Sequence, residues 1–302
     1  MNHYLTHMVS PDMHLESTSK EFGMPASIEC DVDALDGSEE LRPIDVKSEF
    51  LRSLASARQS ALLLDYDGTL APFRVDPSKV RPWGGVVNLL EAIQRSERTR
   101  LAIITGRPAR DVAMQLGLRH TPEIWGLHGA ERLFADGRIE SESLPLQQHQ
   151  SLDSARAGLY AMMRELRLSL RVEEKANAVA VHWRGKSTHT TGLIQQRTLS
   201  LFRPFAAEIG MTLLQFDGGI ELRAGRNKGD AVRALLKDLP ANLPIAYLGD
   251  DATDEDAFQA LGSRGLCVLV RREWRPGAAQ LWLRPPVQLR EFLSEWLRAV
   301  QP

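Results

Sequence analysis

The 302-residue sequence has only two cysteines and no long apolar run. Cys30 and Cys267 fit neither a disulfide framework nor the ligand spacing of a zinc site. No apolar stretch approaches the roughly 20 residues that a membrane-spanning helix needs. The N-terminus also lacks the basic-then-apolar layout of a signal peptide. These absences predict a protein that has no membrane partner and that works in the reducing cytoplasm.

The sequence also lacks a cluster of basic and aromatic residues of the kind that binds nucleic acid. Its net charge of -2 conceals a division, because residues 1–45 carry ten acidic and two basic side chains, whereas residues 46–302 carry 29 acidic and 35 basic ones. The acidic segment has little hydrophobic periodicity, which predicts a disordered tail. The mildly basic remainder suits an anionic small molecule. We expect a monomer with no nucleic-acid partner.

Strand and helix patterns alternate in residues 46–147 and again in residues 224–302. Apolar runs at 62–64, 101–104 and 245–248 have the continuous hydrophobicity of buried parallel strands. The alternation predicts an α/β fold with a doubly wound, Rossmann-like parallel-sheet core. Between these two parts, residues 148–223 show a helix followed by two strands, twice over. That order predicts an inserted α+β cap domain.

Two carboxylates follow the first buried strand directly. Residues 62–70 read Leu-Leu-Leu-Asp-Tyr-Asp-Gly-Thr-Leu, so Asp65 and Asp67 lie at the carboxyl end of the strand, where open α/β sheets bind ligands. One carboxylate can act as the nucleophile of a phosphoryl transfer and the other as acid and then base, with Mg²⁺ neutralising charge. A solvated Asp-Gly turn is the alternative, but paired carboxylates beside a core strand are costly to pack. The pattern favours phosphoryl transfer.

Three further polar sites fall at the ends of predicted elements. Thr105 closes the second strand and offers a hydroxyl beside backbone amides to phosphoryl oxygens. Lys228 begins a helix, where a cation beside free amides would hold an anion. Residues 249–256 place five acidic side chains after a buried strand, and such oxygens suit Mg²⁺. Each site alone is also typical of an ordinary strand or helix end, but their order predicts that they meet the aspartate pair in one crevice.

In this order, the four sites resemble the motifs of the haloacid dehalogenase superfamily of aspartate-nucleophile phosphatases. The resemblance covers about residues 60–300, and residues 145–223 match the position of that superfamily's large cap. Other strings resemble the trehalose-6-phosphate phosphatase family more closely. They are Gly126-Leu127-His128-Gly129, Glu173-Glu174-Lys175, His182-Trp183-Arg184, Glu221-Leu222-Arg223 and Asn227-Lys228-Gly229.

The resemblance implies Mg²⁺-dependent hydrolysis of trehalose 6-phosphate through an aspartyl phosphate. The implied catalytic residues are Asp65, Asp67, Thr105 and Lys228. The implied substrate-binding residues are Arg107, His128, Glu173, Lys175, Arg184 and Glu221. The implied residues of the metal site are Asp65, Asp67, Asp250 and Asp251. The Asp65 carboxylate, the Asp67 backbone carbonyl and Asp250 would hold the ion, and Asp251 and Asp254 would act through water or through hydrogen bonds to the ligands.

Other functions share part of this pattern. The same chemistry could serve sucrose 6-phosphate, glucosylglycerol phosphate or mannosyl-phosphoglycerate. A phospho-accepting signalling domain also places an acidic cluster, a hydroxyl residue and a lysine on a doubly wound sheet. Such domains are much shorter, however, and the second carboxylate would hydrolyse the acyl phosphate that they need to retain. A third alternative is a catalytically silent sugar-phosphate sensor. All the catalytic side chains are present, so the sequence gives this alternative no positive support. The core motifs therefore indicate the reaction, and the cap residues indicate the substrate.

Overall fold

The computed structural model describes residues 43–74, 76–216 and 218–301. The predicted disordered tail, residues 1–45, lies outside these ranges except for its last three residues, which begin the first helix. Eight α-helices occur in the described ranges: α1 (Pro43–Ser56), α2 (Val86–Arg95), α3 (Ala109–Leu116), α4 (Leu146–Glu165), α5 (Thr188–Ala206), α6 (Lys228–Lys237), α7 (Glu255–Leu261) and α8 (Val287–Val300).

Twelve strands in the same ranges form one large and one small sheet. They are β1 (Ser60–Leu64), β2 (Thr99–Ile104), β3 (Glu123–Gly126), β4 (Glu131–Leu133), β5 (Ile139–Ser141), β6 (Arg171–Lys175), β7 (Ala178–His182), β8 (Met211–Phe216), β9 (Gly219–Ala224), β10 (Ile245–Gly249), β11 (Leu266–Val270) and β12 (Leu281–Leu283).

The large sheet has the strand order β12-β11-β10-β1-β2-β3-β4-β5. Its strands from β12 to β3 run parallel, and β4 and β5 add an antiparallel hairpin at one edge. The short edge strand β12 has too few residues to give a sequence pattern and was not predicted. Strands and helices alternate along the parallel part, so the predicted α/β fold with a doubly wound parallel sheet is confirmed.

Helices cover both faces of the large sheet. In β1, Leu62 and Leu64 pack in the cluster that includes residues of α1, α2, α3 and α8, whereas Ala61 and Leu63 pack in the cluster of α6 and α7. All five residues of β1 are buried. This two-sided burial explains why the strand has a continuous apolar run rather than an alternating one.

The strand order places the carboxyl ends of β1, β2 and β10, which the motifs follow, side by side. Strand β1 lies between β10 and β2, and all three run parallel. The chain moves from β1 towards β2 and β3 on one side and returns as β10 on the other. The crevice beyond the carboxyl ends of β1 and β10 is thus a topological switch point, the usual ligand site of such sheets.

The small antiparallel sheet, here called the cap sheet, has the order β6-β7-β9-β8 and is covered by α4 and α5. Ile220, Leu222 and Ala224 of β9 pack beneath these helices, so Glu221 and Arg223 lie on the opposite face. The element order matches the predicted α+β insertion. The domain limits, residues 46–147 and 224–302 for the core and 148–223 for the cap, stay a prediction.

Within the part of the chain that the structure describes, no helix combines the length and the apolarity needed to cross a membrane.

Candidate active site

Asp65 lies immediately after β1 and is almost completely buried, with 2% of its surface exposed. Its backbone N–H donates to the carbonyl of Leu248 in β10 at 2.9 Å, which extends the parallel pairing by one residue. Its side chain therefore starts from a rigid sheet edge. Such placement holds a reacting group more accurately than a loop does.

The turn after Asp65 needs a glycine for two reasons. Gly68 has a φ of 87°, in the left-handed region that side chains disfavour. A Cβ at this position would also overlap the carboxylate of Asp250, which follows β10. Gly68 thus allows the loop after β1 to lie directly against Asp250.

Lys228 is fixed at the first position of α6 and points into the core. Asn227 caps the helix, and its side chain and that of Asp230 exchange hydrogen bonds with each other's backbone N–H groups. This capping box defines where the helix begins. The Nζ of Lys228 donates to Oδ1 of Asp65 at 2.7 Å and to Oδ1 of Asp254 at 2.8 Å.

Asp254 organises the residues around it through four hydrogen bonds. Its Oδ1 accepts from Lys228 and, at 2.6 Å, from the hydroxyl of Tyr247 in β10. Its Oδ2 accepts from the backbone N–H groups of Asp250 and Asp251, both at 3.0 Å. Sequence reasoning missed Tyr247, although a tyrosine in a buried strand needs a hydroxyl partner and an acidic string follows it. Asp254 therefore positions both the lysine and the loop after β10.

Three buried carboxylates form an acidic cluster. Oxygens of Asp65, Asp250 and Asp254 all lie within 4.8 Å of one another. Burial raises the pKa of Asp65 to about 7, against the opposing effect of Lys228 and with a further contribution from Asp254. Burial and the charges of Asp65 and Asp254 likewise raise the pKa of Asp250 well above its usual value. The cluster carries more negative charge than the Lys228 ammonium compensates.

A divalent cation fits this cluster. Oδ2 of Asp65 is a buried acceptor without a hydrogen-bond partner among the described residues, and hard carboxylate oxygens are the ligands that Mg²⁺ takes in proteins. Asp65 and Asp250 can therefore hold such an ion, whereas the oxygens of Asp254 already accept four hydrogen bonds. The structure does not bring the predicted ligand Asp251 into the cluster, because its carboxylate caps the turn at Ala252–Asp254.

The carboxylate of Asp67 is bound by Arg107, which sequence reasoning had assigned to the substrate. Nε and Nη2 of Arg107 donate to the two oxygens of Asp67, each at 2.5 Å. Nη1 of Arg107 donates to the carbonyl of Pro77 at 2.8 Å, so the loop over the strand end also holds the guanidinium. A bidentate pair of this kind fixes the direction of both groups.

A turn at Leu127–Gly129, here called the His128 turn, lies beside Thr105. Leu127 and His128 have φ values of 48° and 59°, in a region that residues other than glycine rarely adopt. The N–H of His128 donates to the carbonyl of Thr105 at 2.9 Å, and Thr105 itself is fully buried. A Cβ at Gly106 would come within 2.7 Å of the His128 ring. The imidazole is therefore packed tightly against the loop after β2.

The cap sheet contributes a buried ion pair next to His128. Oε2 of Glu221 accepts from Nζ of Lys175 at 2.9 Å, and its Oε1 lies 3.4 Å from Nε2 of His128. Burial would raise the pKa of Glu221, but the charge of Lys175 holds it well below its usual value. Glu173 lies 3.7 Å from Lys175 and 3.1 Å from His182. The structure thus brings three of the four predicted cap residues together beside the core.

Arg184, the fourth predicted cap residue, lies farther along the same domain. Its guanidinium is 5.9 Å from the ring centroid of Phe73, which belongs to the loop after β1. Its neighbour across the turn is Gly218, at which a Cβ would come within 3.2 Å of the Arg184 Nε. Arg184 therefore faces the core loop.

The buried His128 gives a testable dependence of stability on pH. Burial lowers its pKa to about 3, assisted by Arg223 and opposed by Glu221, so the folded protein keeps it neutral while the unfolded chain protonates it below about pH 6.5. The unfolded state then binds more protons, and the contribution of His128 to stability falls as the pH drops from 6.5 towards 3.

We expect the difference in unfolding free energy between the wild type and His128→Asn to shrink by up to about 1.4 kcal/mol per pH unit below pH 6.5. Urea unfolding at a series of pH values measures it. His120→Asn, at an exposed histidine, is the matched control and should show no such trend. A constant difference for His128→Asn would mean that His128 is not kept neutral by burial.

The fold and the acidic crevice beneath a cap define the class: the fold is that of the haloacid dehalogenase phosphatases. A solved phosphatase of this superfamily from Bacteroides thetaiotaomicron matches 80% of this chain and 96% of its own, with a TM-score of 0.56 and 16% identity. The C-terminal domain of the Candida albicans trehalose-6-phosphate phosphatase matches 84% of this chain and 96% of its own, with a TM-score of 0.70 and 21% identity.

The chain belongs to the trehalose-phosphatase family, because the model of that family matches residues 63–274. The trehalose-phosphate phosphatase of Mycobacterium marinum (strain ATCC BAA-535 / M) is 32% identical over 243 residues, which cover 77% of this chain and 60% of that relative. The chain therefore spans about three fifths of the length of the curated relatives it matches. The family resemblance predicted from the motifs is confirmed.

Proposed function

We propose that this chain is a phosphoric monoester hydrolase that converts trehalose 6-phosphate to trehalose and phosphate with the help of Mg²⁺. The main support for this proposal is the hydrogen bond from Lys228 to Asp65. The lysine binds one carboxylate oxygen, and the other has no hydrogen-bond partner among the residues that the structure describes. The name of the relatives supports the choice of trehalose 6-phosphate.

In the proposed reaction, a carboxylate oxygen of Asp65 attacks phosphorus in line with the sugar oxygen. The bond between phosphorus and that oxygen breaks, Asp67 gives the departing oxygen a proton, and Asp65 carries the phosphoryl group as an acyl phosphate. Asp67 then takes a proton from the water that attacks phosphorus, which releases phosphate and restores the Asp65 carboxylate. Thr105 and Lys228 stabilise the charge on the phosphoryl oxygens, the dominant contribution in such transfers.

Arg107 acts on this reaction through Asp67. Its two hydrogen bonds hold the Asp67 carboxylate in one orientation, so that this carboxylate takes the proton of the attacking water from a defined position. A direct contact between Arg107 and the substrate phosphate stays a prediction. The predicted role of Asp251 as a metal ligand likewise stays a prediction.

Asp65, Asp250 and the backbone carbonyl of Asp67 would hold Mg²⁺. The bound ion neutralises charge on the phosphoryl oxygens. Both side chains must be ionised to bind it, and their raised pKa values then make the affinity depend on pH.

We expect the apparent Mg²⁺ affinity to rise from pH 5 to above pH 7, because the pKa of Asp65 is raised to about 7 and that of Asp250 is raised well above its usual value. The shift of the unfolding temperature on adding MgCl₂, measured at each pH, reports it without activity. CaCl₂ in parallel checks selectivity. An affinity that is already maximal at pH 5 would contradict an ion held by Asp65.

The cap residues are proposed to bind the sugar. Glu173, Lys175 and Glu221 lie on the face of the cap sheet that is not covered by α4 and α5, and Arg107 interacts with the charge of Glu173 across the two parts of the chain. His128 and Arg184 complete the proposed set. Charged groups arranged for sugar hydroxyls reject analogues that lack those hydroxyls by large factors.

A panel of phosphate esters tests the function. Phosphate release from trehalose 6-phosphate, sucrose 6-phosphate, glucosylglycerol phosphate, mannosyl-phosphoglycerate and p-nitrophenyl phosphate is measured with MgCl₂ and with EDTA. We expect the highest kcat/KM for trehalose 6-phosphate and its loss in EDTA. A higher kcat/KM for another ester would reassign the substrate and leave the chemistry intact. A stable acyl phosphate without turnover would instead indicate a signalling domain.

We also propose that the protein acts as a monomer in the cytoplasm on a small sugar phosphate, without nucleic-acid or membrane partners. Cys267 supports a protein that uses no thiol chemistry, because its side chain is buried and burial raises its pKa to about 12. Cys30 lies outside the described residues.

A further inference from the structure

Asn177 connects the cap to the core by a hydrogen bond, and it belongs to none of the sequence motifs described above. It lies in the hairpin between β6 and β7, with 2% of its surface exposed. Its Nδ2 donates to the carbonyl of Leu127 in the His128 turn at 3.0 Å, across 50 residues of sequence. A cap side chain therefore contacts the core backbone within the turn that presents His128.

The His128 turn depends on bonds from its surroundings. Two consecutive residues other than glycine with positive φ persist only where neighbouring structure over-determines them. Leu127 donates its N–H to the carbonyl of Arg107 and His128 donates to that of Thr105, each at 2.9 Å. The carbonyl of Leu127 accepts from the N–H of Ala130 at 3.3 Å and from the amide of Asn177, which is the bond that comes from the cap.

The same turn meets the cap at a second point. The imidazole of His128 lies 3.4 Å from Oε1 of Glu221, on β9. The carbonyl of Asn177 accepts from the N–H of Ala224 at the end of β9 at 2.8 Å. One short unit of the cap, made of the β6–β7 hairpin and β9, thus holds both contacts to the turn.

A purely structural role does not account for the Asn177 side chain. Its Oδ1 is a buried acceptor without a hydrogen-bond partner among the described residues, and an unpaired buried acceptor is unfavourable. An apolar residue of similar size would fill this position of the hairpin without that cost. The amide is explained by the bond that it makes to Leu127.

We propose that Asn177 is a positioning residue: by binding the Leu127 carbonyl it fixes the cap on the His128 turn and sets the distance between His128 and Glu221. The consequence for substrate recognition rests on the function proposed above, because His128 and Glu221 are the groups assigned there to the disaccharide. The consequence for the turn itself does not depend on that function.

The test compares Asn177→Leu and Asn177→Ser with the wild type. Leucine keeps the volume and loses the donor, and serine keeps a donor that is too short to reach Leu127. The backbone bond of Asn177 to Ala224 survives in both variants. Thr198→Val is the matched control, because Thr198 is a fully buried polar residue of α5 in the cap and its Oγ1 has no hydrogen-bond partner in the described part of the chain.

Hydrogen exchange of the backbone amides of Leu127 and His128 gives a readout that needs no activity. We expect both Asn177 variants to exchange these amides about fivefold faster, since the turn loses the bond that the cap supplies, and Thr198→Val to match the wild type. Unchanged exchange in Asn177→Leu would overturn the proposal. Equal acceleration in Thr198→Val would overturn it as well, because a general loosening of the cap would then explain the effect.

Kinetics test the consequence for recognition. We expect both Asn177 variants to lower kcat/KM for trehalose 6-phosphate by at least about fivefold, mainly through KM, and to lower that for p-nitrophenyl phosphate by less than about twofold. Equal losses on both esters would contradict the role in recognition. If the wild type releases no phosphate from trehalose 6-phosphate, the proposed function is wrong, and the exchange result alone decides whether Asn177 fixes the turn.

Discussion

Replacing Asp65 by Asn is expected to lower kcat on trehalose 6-phosphate by at least about ten-thousandfold. The amide keeps the shape of the side chain, but it cannot form the acyl phosphate and is a poor metal ligand. Phosphate release under substrate saturation measures the loss. Asp153→Asn, at an exposed aspartate paired with Arg156 on α4, is the matched control and should retain wild-type turnover.

Although Asp65→Asn should lose turnover, we expect it to gain stability. Because burial raises the pKa of Asp65 to about 7, its ionisation opposes folding, and this unfavourable contribution is fully present above pH 7. At pH 8 without metal, we therefore expect Asp65→Asn to unfold at a higher temperature than the wild type. Lower stability together with lost turnover would indicate that Asp65 supports the fold rather than the reaction.

Glu221→Gln is expected to separate recognition from chemistry. Glutamine keeps the volume but removes the charged partner that Lys175 contacts at 2.9 Å and leaves the longer pair with Glu173 at 3.7 Å, so we expect kcat/KM for trehalose 6-phosphate to fall about ten- to hundredfold. The loss on p-nitrophenyl phosphate should be at least about tenfold smaller, since this ester has no sugar. Phosphate-release kinetics on the two esters measure both values.

Glu174→Gln is the control for this experiment. Glu174 neighbours Glu173 in β6, and its side chain binds the hydroxyl of Tyr160 on α4, on the other face of the cap sheet. It should leave the ratio of the two kcat/KM values unchanged. Equal losses on both esters in Glu221→Gln would show that Glu221 supports the domain arrangement or the chemistry instead of the sugar.

The elements that the sequence predicted well are those in which local pattern and burial agree. Strands β1, β2 and β10 read as apolar runs because both of their faces are covered by helices. Their carboxyl ends could then be assigned to one edge of the sheet from the strand–helix alternation alone. The position of Asp65, Asp250 and Lys228 within one cluster followed from that geometry.

The partners of the site residues could not be predicted, because they join segments that are distant in sequence. Arg107 binds Asp67 across 40 residues, and nothing local distinguishes an arginine that positions a carboxylate from one that binds phosphate. Tyr247 and Asp254 lie only seven residues apart. Their bond could have been inferred from the need of a buried tyrosine for an acceptor.

For the aspartates that follow β10, residue type alone does not predict which of them binds the metal. Asp250, Asp251 and Asp254 have the same chemistry, and sequence alone assigned Asp250 and Asp251 to the metal. The fold gives them separate surroundings, because Asp251 caps a turn while Asp254 accepts four hydrogen bonds inside the cluster. Backbone direction at each position, which residue type does not encode, decides between these roles.

In the proposed reaction, Asp65 accepts the phosphoryl group of trehalose 6-phosphate. Acid quench of the protein during turnover with trehalose 6-phosphate and MgCl₂, followed by mass spectrometry of the peptide that contains Asp65 and Asp67, tests this directly. We expect a phosphoryl group on Asp65, absent in Asp65→Asn and absent when sugar without phosphate is supplied. Phosphate release with the phosphoryl group on another residue, or with none on Asp65 at any quench time, would contradict the account.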